Sequence, residues 1–166
     1  MKLSWVLQNA TISTMLTLTM IWFSPPAAAR GGISHTEVAS TRHIEELPPE
    51  IRNALGRWQS ACGTPLKARP LFAHYLGDSA VGYRLIALHF HELSCANREA
   101  LCSYQGCLHQ VYISTDGVYR LGFSANVPDV TLTLVDHTPE IKIDGETSSW
   151  QSPRLLRWNG RGFVEK

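Results

Sequence analysis

Ser94-Cys-Ala-Asn-Arg-Glu-Ala-Leu-Cys-Ser-Tyr-Gln-Gly-Cys-Leu-His109 carries three of the chain's four cysteines. Cys102 and Cys107 are close enough in sequence to close a small loop, and Gly106 inside it can take the positive φ that a tight turn needs. Four cysteines allow three connectivities. The short spacing favours Cys102 with Cys107, which leaves Cys95 for Cys62 and ties two distant segments together. A four-cysteine zinc site is the rival, but Cys62 and Cys95 are too far apart to form a second close pair. A catalytic dithiol would want Cys-x-x-Cys or a cysteine at a helix N-terminus, and neither is present. The stretch therefore reads as a staple.

Disulfides need an oxidising compartment, and the N-terminus points the same way. Lys2 precedes the uncharged run Met15 to Phe23, Ser24-Pro-Pro26 breaks it, and Ala27-Ala-Ala29 offers small residues for a signal peptidase. The apolar run is about half of the ~20 residues needed to span a bilayer. Residues 1–29 are expected to be a signal peptide, giving a periplasmic or secreted protein with no stable membrane span after cleavage. Removing them takes away one base and no acid, which leaves 14 basic and 14 acidic residues. A neutral chain without a basic run argues against nucleic acid or an anionic membrane as partner.

Residues 30–46 mix Gly, Ser, Thr and charge without a period, and read as a flexible leader. Residues 47–166 read as a single helix-plus-β domain. Pro48-Pro49-Glu50 suits a helix start and Gly63 a helix end. Between them Ile51, Ala54, Leu55, Trp58 and Cys62 form one apolar stripe.

Beyond Lys67 the pattern becomes extended. Pro70 to Leu76 and Gly82 to Leu93 read as strands joined by Gly77-Asp-Ser79. Leu108 to Thr115 and Val118 to Ser124 flank Asp116-Gly117, a two-residue hairpin signal. Asp144-Gly145 follows the strand 140–143, and Asn159-Gly160 separates 153–158 from Phe163-Val164. The expected fold class is α+β, with one N-terminal helix packed on a mostly antiparallel β-meander of about six to nine strands, a curved sheet or partly closed barrel.

The histidines carry the chemistry that remains. On a strand His89 and His91 face one side and Glu92 the other, a spacing that lets two imidazoles grip one ion, with His109 and His74 on nearby segments as further donors. A solvated surface is the plainer reading of two such histidines. No nucleophile elbow, carboxylate pair or phosphate loop is present, so no catalytic residue and no cofactor are expected. Trp58, Trp150 and Trp158 could line a groove, but Trp58 belongs to the helix stripe and Trp158 precedes a turn, which favours core packing.

The order of helix, terminal cysteine, strand, Cys102-Ser-Tyr-Gln-Gly-Cys107 and closing Trp158-Asn-Gly-Arg-Gly-Phe163 resembles small exported proteobacterial proteins of unknown function. The resemblance implies a periplasmic β-rich fold and no activity. The reading that follows is a non-enzymatic binding or accessory module acting on an envelope or extracellular protein. Two alternatives stand beside it: a metal-binding protein or metal-dependent hydrolase using His89 and His91, and an inhibitor of cell-wall hydrolases presenting the loop 102–107.

Overall fold

The computed structural model describes residues 38–63, 65–78, 80, 82–144 and 153–166. The expected signal peptide, the start of the expected leader, Thr64, Ser79, Gly145 and Trp150 lie outside the described residues. The later part of the expected leader is not a free segment. Ser40 and Ala68 exchange both backbone hydrogen bonds, at 2.9 and 3.0 Å. Helix α1 (Arg42–Glu45) follows as a single turn, with Ile44 packed on the core and Leu47 buried. Four residues are too few for a hydrophobic period to show in the sequence.

Helix α2 (Pro49–Cys62) starts and stops where its end residues dictate. Pro49 loses nothing by lacking an N–H in the first turn, and Gly63 takes the left-handed φ of 70°. Its N–H donates to the Gln59 carbonyl at 3.1 Å. Ile51, Leu55 and Cys62 are buried, while Ala54 and Trp58 pack against the same cluster.

Strand β1 (Lys67–Ala68) and a 3-10 turn at Pro70–Phe72 precede β2 (Ala73–Asp78) and β3 (Tyr83–His89). A second 3-10 turn, Phe90–Glu92, leads to β4 (Leu93–Ser94), which pairs with β1. Then come β5 (Cys102–Ser103), β6 (Gly106–Ser114), β7 (Arg120–Val127), β8 (Asp129–Val135), β9 (Thr138–Asp144), β10 (Arg154–Trp158) and β11 (Phe163–Glu165). All the pairings are antiparallel. The fold is α+β with antiparallel sheets, as expected, and the described strands are shared among separate sheets. One sheet holds β2, β3, β6 and β5, with β7 also on β6, and a second holds β8, β9, β10 and β11 in sequence order.

The central strands are covered on both faces. Ile86, Leu88, Leu108 and Tyr112 join the α2 core. Leu85, Ala87, Val111 and Ile113 meet Val130, Ile141, Ile143 and Leu156 of the second sheet. The layers are therefore helix, five-stranded sheet, four-stranded sheet. Burial on both faces erases the polar alternation in β3, where Leu85 to Leu88 are all apolar. Each of the three larger side chains, Leu85, Ile86 and Leu88, contributes about 1.5–3 kcal/mol of transfer free energy.

Two expected tight turns are wider than their dipeptides suggest. Ile113 pairs with Arg120, so Asp116-Gly117 sits inside a five-residue loop, 115–119. Trp158 pairs with Phe163 across four residues. In both, a side chain caps loop amides and holds the wider form: Val118 N–H donates to Asp116 Oδ1, and the N–H groups of Arg161 and Gly162 donate to Asn159 Oδ1. Two-residue loops instead join β5 to β6, through Tyr104 and Gln105, and β8 to β9, through Asp136 and His137 at φ 48° and 60°.

Both disulfides follow the expected pairing. Cys62–Cys95 ties the end of α2 to the loop after β4, and Cys102–Cys107 closes the β5–β6 hairpin. Gly106 has φ 127°, and a Cβ there would run into the Val127 carbonyl of the neighbouring strand. Only a glycine fits.

Candidate metal centre

Three adjacent strands each bring one histidine to the face covered by the second sheet. In the register of β3 on β6, His89 stands directly opposite His109. His74 on β2 lies opposite Ala87, two residues from His89 and on the same face. The His89 ring is 4.6 Å from His74 and 4.9 Å from His109, centroid to centroid.

His91 arrives by a different route from the one its spacing suggests. The strand ends at His89, and residues 90–92 form the 3-10 turn, so strand alternation does not apply. Phe90 takes the buried position of that turn, packed edge-on against Phe72 and Trp58 at 5.7 Å each. The His91 ring is thereby set 5.8 Å from His89 and 5.7 Å from His109. Glu92 does not point away as expected. Its Oε1 lies 3.4 Å from His91 Nε2, and its Oε2 lies 3.7 Å from Arg69. One ligand atom from each of His89, His91 and His109 falls within 4.8 Å of the others. His74 is beside this set but not part of it.

Asp129 completes the cluster from the other sheet. A single residue, Pro128, separates β7 from β8, so the chain changes sheets there and the first residue of β8 lands over the end of β3. Asp129 Oδ1 sits 3.2 Å from His89 Nδ1 and accepts the Val130 N–H at 2.8 Å. The hydrogen bond from His89 holds the Asp129 carboxyl down at about 2. No residue pattern marks Asp129 in the sequence. Pro128, a residue that cannot donate to a ladder, is the one signal that the strand breaks there.

Burial disfavours the charged form of His74, His91 and His109. Burial pushes His109 down to about 4, reinforced by His89. Burial also lowers His91, against the pull of Glu92, and lowers His74, again with His89 acting in the same direction. His109 is 0 % exposed. Both its nitrogens lack a hydrogen-bond partner, and the only other such buried side-chain nitrogen or oxygen among the described residues is Trp58 Nε1. The Pro128 backbone acts weakly on the ring, without reaching hydrogen-bond geometry.

His89, His91 and His109 are close enough together that they could hold one metal ion. A ligating imidazole ordinarily donates its second ring N–H to a carboxylate, which fixes its tautomer and orientation. Asp129 on His89 Nδ1 leaves Nε2 for an ion, and Glu92 on His91 Nε2 leaves Nδ1. His89, His91 and Asp129 open onto a cleft of about 370 Å³ that His74 and Glu92 also line. His109, fully buried, is not among the residues that line it. The cysteines are elsewhere in role: among the described residues none is free. Trp58 packs on Phe90 and Trp158 on Phe163, as core rather than groove.

No protein family, curated protein or solved structure matches the chain. Among the described residues, no helix is long and apolar enough to cross a membrane.

Proposed function

We propose that this chain is an exported binding protein of the cell envelope that holds one divalent transition-metal ion, zinc or copper, through His89, His91 and His109. The observation that carries the reading is His109, fully buried with both ring nitrogens unpartnered and one of them within reach of two other imidazoles. An orphaned buried polar group costs about 1–3 kcal/mol, and an ion offsets that cost. Three imidazoles favour zinc or copper over the oxygen-seeking magnesium and calcium. Export is supported by the processing pattern of residues 1–29 and by the two disulfides. The resemblance to small exported proteobacterial proteins points to the same compartment.

The test is metal content and calorimetry on untagged protein with its disulfides formed. One equivalent of zinc is expected in the wild type, and loss of high-affinity binding in His109→Ala and in His89→Ala/His91→Ala. Equal and negligible zinc in all three would end the reading.

A further inference from the structure

We propose that His74 is the fourth ligand of this centre, and that its turn between solvent and the ion controls how fast the ion is exchanged. The inference rests on the metal-binding reading above and goes beyond it by stating how the ion is enclosed and let go.

A zinc ion held by three imidazoles takes a fourth donor, at about 2.0–2.2 Å for nitrogen or oxygen. The cleft that His89 and His91 line offers three other imidazole or carboxylate donors, Asp129, Glu92 and His74. Both carboxylates are engaged. Asp129 Oδ1 meets the His89 ring and accepts the Val130 N–H, and Glu92 lies between His91 and Arg69. The His74 ring stands 4.6 Å from that of His89, the closest of the ring pairs in the cluster. The Leu71 backbone acts on His74 as a hydrogen-bond acceptor. A carbonyl in that role is the kind of outer partner that fixes one nitrogen of a ligating imidazole and leaves the other for an ion.

The rings differ in their freedom to move. His89 and His109 are buried on the central strands β3 and β6. His74 is exposed and stands on β2, the strand at the edge of the same sheet. An exposed side chain changes rotamer within nanoseconds, whereas close packing holds a buried one. His74 lies outside the three-nitrogen set, and its backbone is fixed opposite Ala87 in the β2–β3 ladder. It therefore joins the ion by a turn of its side chain alone.

An order of events follows. His89, His91 and His109 are brought together by the fold and take the ion first. His74 adds last, from the side it shares with His89. Four imidazoles complete a tetrahedron, the closed form of a zinc site, which holds its ion and leaves no position for an activated water. Release begins when His74 turns back to solvent.

The test is NMR of the histidine ring nitrogens in untagged protein with its disulfides formed, before and after one equivalent of zinc, with His74→Ala to assign the signal. A His74 ring nitrogen is expected to move to the metal-bound range together with one from each of His89, His91 and His109. His74 is exposed, so its substitution leaves the core intact. His74→Ala should still bind one zinc but pass it to excess EDTA about 100-fold faster than the wild type. A His74 signal that stays in place while the other three move overturns the inference and leaves the metal-binding reading standing. Release from His74→Ala at the wild-type rate does the same. Absence of bound zinc in the wild type overturns both.

Discussion

The cysteines and the histidines lie within a few residues of each other in the sequence, yet the fold treats them in opposite ways. Every cysteine sulfur is held in a covalent bond. His109, two residues beyond Cys107 and completely buried, has two nitrogens bonded to nothing. One group lowers the free energy of the folded chain and the other raises it. His109 lies in the interior of a three-layer fold with the His89 and His91 rings against it, while the disulfides hold the surrounding segments in place.

Three experiments sharpen or break this contrast. The largest effect belongs to the staple. Cys62–Cys95 spans 33 residues and Cys102–Cys107 spans 5. By loop-closure entropy, Cys62→Ser/Cys95→Ser should lose about 3–4 kcal/mol in urea unfolding, and Cys102→Ser/Cys107→Ser about 2 kcal/mol. A larger loss from the short loop would mean that it supports more than its own hairpin.

Next is the cost of the orphaned ring, read through pH. His109 is held at about 4, below the ordinary histidine value of 6.5. Between those values the unfolded chain binds a proton that the folded chain does not, so stability falls as the pH is lowered through this window. For metal-free protein the His109 share of the loss between pH 7 and 4.5 is on the order of 2 kcal/mol, with His74 and His91 adding in the same direction. Unfolding curves at the two pH values, compared with His109→Leu, measure it. An equal slope in the variant would show that the ring is not held neutral.

The smallest effect tests the orienting carboxylate. Asp129→Asn should weaken zinc binding about 10- to 100-fold by calorimetry while leaving one site. No change would mean that His89 needs no partner to present its nitrogen.

Much of the frame was legible in the chain because it is local. Pro49, Glu50 and Gly63 set the ends of α2, and the stripe from Ile51 to Cys62 set its buried face. The cysteine pairing followed from spacing alone. The hairpin loops were harder, because Asp116 and Asn159 cap loops wider than the turns their dipeptides favour. The histidine cluster was visible only in part. That the His89 and His91 rings lie near each other was readable, although the geometry comes from a 3-10 turn rather than from strand alternation. That His109 lies opposite His89 depends on the register of β3 on β6, and Asp129 depends on a crossing between sheets. Both are long-range facts that no short window of sequence contains.

Pro128 has one more effect. Because the chain moves from β7 to β8 through that residue alone, His89 and His109 belong to one sheet and the carboxylate that orients His89 belongs to the other. The complete centre exists in neither sheet by itself. An ion held by His89, His91 and His109 would favour the docked sheets only by what Asp129 adds to its affinity, about 10- to 100-fold.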